Sequence, residues 1–140
     1  MNSAIRRRAL WDDVRVGNWR EAFLDSCARL DGVVIGEGNF GPGPALWVGK
    51  REVAHFDSGE TLDIRLTKPQ IRSRRSELKE DDRVSLRPAS SDWLELRVRD
   101  ESDFDFALSL VRDAINANLQ TATRGPPPTG ADLARRRHFH

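Results

Sequence analysis

Apolar and polar residues alternate most cleanly over residues 51–66, Arg51-Glu52-Val53-Ala54-His55-Phe56-Asp57-Ser58-Gly59-Glu60-Thr61-Leu62-Asp63-Ile64-Arg65-Leu66. Side chains along a strand point to opposite faces with period two, so the pattern predicts two strands joined by a tight turn. A three-residue Ser58-Gly59-Glu60 loop, with Gly59 supplying a positive φ, opposes Asp57 to Thr61 and His55 to Asp63. Ala54, Phe56, Leu62, Ile64 and Leu66 then share one face, and Val53, His55, Asp57, Asp63 and Arg65 share the other. A two-residue loop would oppose His55 to Leu62 and mix the faces, which a buried face does not tolerate.

The flanking patterns supply the rest of the architecture. Asn18 is a suitable N-cap with Glu21 three residues on, and Trp19, Phe23, Cys27 and Leu30 recur at helical spacing before Asp31-Gly32 ends the run. Val33-Val34-Ile35 and Ala45-Leu46-Trp47-Val48 read as strands around a Gly- and Pro-rich loop, residues 36–44. That loop is followed by no Lys-Ser/Thr pair and no helix, so it reads as a hairpin connection able to act as a lid rather than as a phosphate cradle. Thr67 is placed to cap a helix running to about Lys79, with Pro69 in its first turn and Ile71 and Leu78 seven apart. Arg83–Arg87 and Trp93–Arg99 alternate as strands. Asp100-Glu101-Ser102-Asp103 opens a last helix whose stripe is Phe104, Ala107, Leu108, Val111 and Ile115.

Helix, four strands, helix, two strands and helix predict an α+β fold: an antiparallel or mixed sheet of five to six strands with helices packed on one face and a polar open face. The polar face would collect His55, Asp57, Asp63, Arg65, Ser85, Arg87, Glu95, Arg97 and Arg99. Residues 1–17 form a polar lead-in, 18–119 a single domain, and 120–140 a tail with a Pro-rich spacer, Gly125–Gly130, before the basic end Arg135-Arg136-Arg137-His138-Phe139-His140.

Composition narrows the classes. With 140 residues, 38% hydrophobic and 32% charged, the chain fits one globular domain. A net charge of +1 argues against a globally basic nucleic-acid binder, although the basic tail leaves nucleic acid open as a partner. The single Cys27 precludes a disulfide framework and fits a reducing compartment. No apolar run reaches the roughly 20 residues that a membrane span needs, and no signal peptide is read. The expectation is a cytoplasmic protein without a membrane partner.

His55 opposite Asp63 is the candidate catalytic pair, because a carboxylate fixes the imidazole tautomer and raises its basicity. Arg65, Arg97 and Arg51 are candidates for holding an anionic substrate. Alternatively His55, Asp57 and Asp63 can ligate a divalent metal. No Ser/His/Asp triad, dinucleotide fingerprint or P-loop is present, so the residues name no cofactor.

Lys50-Arg51-Glu52-Val53-Ala54-His55, followed by Leu62-Asp63-Ile64-Arg65-Leu66, resembles the core motif of the fungal-luciferase-like family, in which Lys-Arg-Glu-x-Ala-His-x-His precedes a Leu-His-Leu strand. The later helix, Trp93 strand, acidic turn and closing helix extend the likeness over about residues 45–118. The resemblance implies a small-molecule oxygenase working without a nucleotide cofactor. Asp57 and Asp63 stand where that motif has its second and third His, which argues against light emission. Two readings follow: a small-molecule enzyme centred on His55, or a non-catalytic module engaging an acidic ligand, peptide or nucleic acid through its arginines and basic tail.

Overall fold

The computed structural model describes residues 19–39, 43–56, 61–121 and 125–128. Helix α1 (Trp19–Ala28) precedes strands β1 (Val34–Glu37), β2 (Pro44–Val48), β3 (Arg51–Phe56) and β4 (Thr61–Ile64). Two short helices, α2 (Lys68–Ser73) and α3 (Arg75–Glu80), lead to β5 (Val84–Leu86) and β6 (Leu94–Arg97). A 3-10 turn, Glu101–Asp103, then opens α4 (Phe104–Leu119). The six strands form one antiparallel sheet in the order β1-β2-β3-β4-β6-β5, with the helices packed on it. The fold is α+β, as the alternation pattern requires.

One contiguous core lies between sheet and helices. Phe23 and Cys27 of α1 meet Leu46, Val48, Ala54, Leu62, Ile64, Leu94 and Leu96 of the sheet and Phe104, Ala107, Leu110, Val111, Ala114 and Ile115 of α4. Phe23 sits edge-on to Phe56 and Phe104, with ring centroids 5.8 and 5.4 Å away. Such burial contributes about 1.5–3 kcal/mol for each fully buried large apolar side chain, which makes this layer the main source of stability. The stripe on α4 is wider than its most apolar positions suggested: Leu110 and Ala114 are fully buried, whereas Leu108 is only half-buried.

Three local expectations are corrected. The single helix from Thr67 to about Lys79 is two helices broken at Arg74, which has φ −110° and ψ 10°. The break leaves Ile71 and Leu78 both buried and directs the Arg74 guanidinium to Glu77 and to Asp113 of α4, each at 2.7 Å. Thr67 does not cap through its side chain; it holds φ 85° and ψ 149°, while Asp92 Oδ1 accepts from Lys68 N at 2.9 Å. Val53, expected beside His55 on the polar face, is instead fully buried in the core.

The physical cause of that last difference is a β-bulge. On β2, Leu46 and Trp47 are consecutive, but their partners on β3 are Ala54 and Glu52, so Val53 is an extra residue without an opposite number. Its carbonyl accepts from Arg65 N at 2.8 Å. A bulge of this kind resets the alternation of the strand that carries it. Val53 and Ala54 both enter the core, and Glu52 arrives on the same side as His55.

Candidate functional site

The register Ala54↔Ile64, His55↔Asp63 and Phe56↔Leu62 sets His55 directly across from Asp63 on the face away from the core. The His55 imidazole Nε2 lies 3.0 Å from Asp63 Oδ2. Its Nδ1 lies 3.3 Å from Glu52 Oε1, an ion-pair distance without straight hydrogen-bond geometry. On the β2 side the neighbour across the ladder is Ala45, whose small side chain leaves the ring its space. Glu52 is three residues before His55; in a regular strand that separation points two side chains to opposite faces, and the bulge is what brings them together.

Each carboxylate is buried, with 1% side-chain exposure for Glu52 and 5% for Asp63. Backbone and side-chain donors hold one oxygen of each. Asn39 N, within the Gly-rich loop, donates to Glu52 Oε2 at 3.2 Å. Arg87 Nη2 lies 3.2 Å from Asp63 Oδ2 and 3.0 Å from Glu95 Oε1, bridging two acids that face each other across β4 and β6. The other oxygens, Glu52 Oε1 and Asp63 Oδ1, accept no hydrogen bond. Buried polar atoms are nearly always paired, so two such acceptors beside one imidazole mark a place built for donors.

Trp93 forms the floor of the site. Its ring centroid is 5.3 Å from that of His55, tilted by 52°, and the Arg65 guanidinium lies 4.9 Å over its face. A guanidinium over an indole face is an attractive arrangement, worth about 0.5–2 kcal/mol depending on desolvation. Arg65 Nε is buried and donates to no described group. Burial lowers the Arg65 pKa, and the charge of Arg51 lowers it further.

The electrostatics of His55 follow from its two acids. Burial acts to lower its pKa, but the bond to Asp63 and the close Glu52 carboxylate overcome that penalty and raise it from 6.5 to about 9. At neutral pH the ring is therefore an imidazolium between two carboxylates, and it can donate a proton rather than take one. An imidazolium offers no lone pair to a metal until that proton is displaced. Among the described residues no group of three or more His, Cys, Asp and Glu is arranged to hold a metal ion.

The candidate residues named from sequence divide in space. His55, Asp63 and Arg65 come together with Trp93. Arg51 does not join them; its Nη1 reaches Asn118 Oδ1 at 3.5 Å and Thr121 Oγ1 at 2.7 Å near the end of α4. Arg97, opposite Thr61, is exposed and forms no ion pair with a described residue. Asp57, the loop 58–60, Asn18 and the basic tail from 129 onward lie outside the described residues. Arg87 lies beside Asp63 on the polar face where alternation put it, whereas Glu52 is a site residue that alternation alone could not assign. Glu52 stands in the Lys50–His55 motif, but its side depends on the bulge.

The face is not polar throughout. Ala45 and Trp47 form a small buried cluster of their own, and Trp47 Nε1 donates to Glu37 O at 3.0 Å. Gly36 lies so close to this indole that an added Cβ would fall 3.0 Å from Trp47 Cδ1 and 3.4 Å from Pro127 Cβ. Part of the Pro-rich segment thus packs on the β1–β2 hairpin. No described helix is long and apolar enough to cross a membrane.

Neither a curated protein nor a solved structure gives a match to this chain. A family model does: the one described as Luciferase domain, over residues 50–114. That span begins at the Lys50–His55 motif and carries Glu52, His55, Asp63, Arg65, Arg87 and Trp93 together. The chain therefore contains a luciferase domain over residues 50–114; of the site contacts given above, those of Asn39 and Ala45 come from outside that span.

Proposed function

We propose that the His55 face binds a small hydroxylated ring compound and that His55 transfers a proton to it as a general acid. The observation that carries this reading is the buried Glu52–His55–Asp63 array with one oxygen of each acid accepting no hydrogen bond. Hydroxyl or amine donors of a ligand satisfy such acceptors, and the Trp93 face with Arg65 above it suits a flat ring carrying negative charge. An imidazole oriented by Asp63 and protonated up to about pH 9 is a competent acid at neutral pH. The luciferase-domain likeness supports a small-molecule substrate. Light emission is not part of this reading, because Asp57 and Asp63 occupy the positions of the motif's second and third His.

A thermal-shift screen of hydroxylated aromatic and pyrone compounds against the wild type and His55→Gln tests the proposal. A binding compound held at about a hundred times its Kd stabilises the wild type by about 2.7 kcal/mol. That stabilisation should be largely lost in the variant. Equal responses of the two proteins, or no compound that stabilises the wild type, would sink the reading.

A further inference from the structure

A second concave region lies apart from the His55 face, where the C-terminal end of α4 meets the start of β3 and the turn before α2. Its volume is about 540 Å³, inside the roughly 300–1,000 Å³ range of small-ligand pockets. Arg51, Gln70, Asp92, Asp113, Asn116 and Thr121 are among its walls.

The charges there do not cancel. Asp113 is already paired with Arg74 at 2.7 Å, and Asp92 accepts from Lys68 N at 2.9 Å. Among the described residues Arg51 meets only neutral oxygens, those of Asn118 and Thr121, and both contacts use the same terminal nitrogen, Nη1. No described residue engages Nε or Nη2, the edge of the guanidinium that grips a carboxylate or phosphate with two parallel bonds. A cation at a helix C-terminus complements the helix dipole, which accounts for where Arg51 sits but leaves that edge without a partner.

The wall also holds the most unusual backbone among the described residues. Thr67 is the one non-glycine there with positive φ, at φ 85° and ψ 149°. This region is almost confined to glycine, and residues held in it cluster at binding sites. The strained turn is fixed by Thr67 N donating to Asp92 O at 2.9 Å.

We propose that this cavity is a second small-molecule site, taking a polyhydroxylated carboxylate or phosphate whose anionic group docks on the Nε–Nη2 edge of Arg51. The hydroxyls of the ligand meet the amide and hydroxyl groups of Gln70, Asn116 and Thr121. The site is independent of the His55 chemistry.

Calorimetric titration of the full chain with gluconate, a hexose 6-phosphate and the corresponding neutral hexose tests it. At least one anionic probe binds the wild type and His55→Gln alike, while Arg51→Met weakens it tenfold or more. Asn116→Asp puts a carboxylate in the cavity at an exposed position, leaves the contacts of Arg51 in place, and produces a comparable loss. It decides the matter if Arg51→Met does not fold. The better of the two anionic probes identifies carboxylate or phosphate as the preferred head group. Absence of binding by both anions at millimolar concentration overturns the proposal, as does wild-type affinity in Asn116→Asp or equal binding of the neutral hexose.

Discussion

Raising the pH from 6 to 10 should destabilise this protein through His55. The imidazole pKa is about 9 in the fold against an ordinary 6.5, so the folded state binds the proton more tightly than the unfolded chain. The resulting stabilisation is fully present below pH 6.5 and is lost as pH rises through 9. Each factor of ten in proton affinity is worth about 1.36 kcal/mol, so the effect reaches about 3 kcal/mol at most. The ring retains 16% exposure, so solvent screening at its open edge reduces the figure. The window is unusually clear of other signals. The chain has no tyrosine, and burial pushes the Cys27 thiol up to about 12. Urea unfolding of the wild type and His55→Gln at intervals between pH 6 and 10 measures the loss. The wild-type advantage should shrink by about 2–3 kcal/mol across that range, and an NMR titration of the ring should place its pKa above 8. A ring titrating at 6.5 or below, or an advantage independent of pH, would refute the carboxylate–imidazole–carboxylate account.

Two further outcomes test the frame around the sites. Asn118→Ala removes the buried amide that donates to Arg65 O at 2.9 Å and Ala114 O at 2.7 Å, and should cost about 2–3 kcal/mol by leaving a buried carbonyl unpaired; a loss under about 0.5 kcal/mol in urea unfolding would contradict it. Thr67→Gly should be more stable than Thr67→Ala by about 1 kcal/mol, because only glycine relaxes at φ 85°, and calorimetric Tm values in the reverse order would exclude strain at this turn.

The sheet is legible in the sequence because period-two alternation and turn chemistry constrain each other. An odd-length loop is the one choice that keeps Phe56, Leu62 and Ile64 together, and it sets His55 against Asp63. Helix starts are less legible at Thr67, where the sequence offers a good capping side chain and the backbone takes a conformation that turns it away. The partners of His55 are half legible. Asp63 follows from register, whereas Glu52 requires knowing that Val53 is extra, and no local propensity marks a valine as such. Arg51 stands out in the sequence as a cation beside the motif, yet its destination depends on where α4 ends, some 67 residues away along the chain.

The bulge at Val53 also makes the site sensitive to strand pairing in a way that substitutions do not reveal. If Val53 instead paired with Trp47 in an unbroken ladder between β2 and β3, Glu52 would fall on the face opposite His55. His55 would then keep Asp63 and lose Glu52. Transplanting this constellation onto another sheet therefore means moving a counting irregularity along with the side chains, because the spacing error is itself one of its working parts.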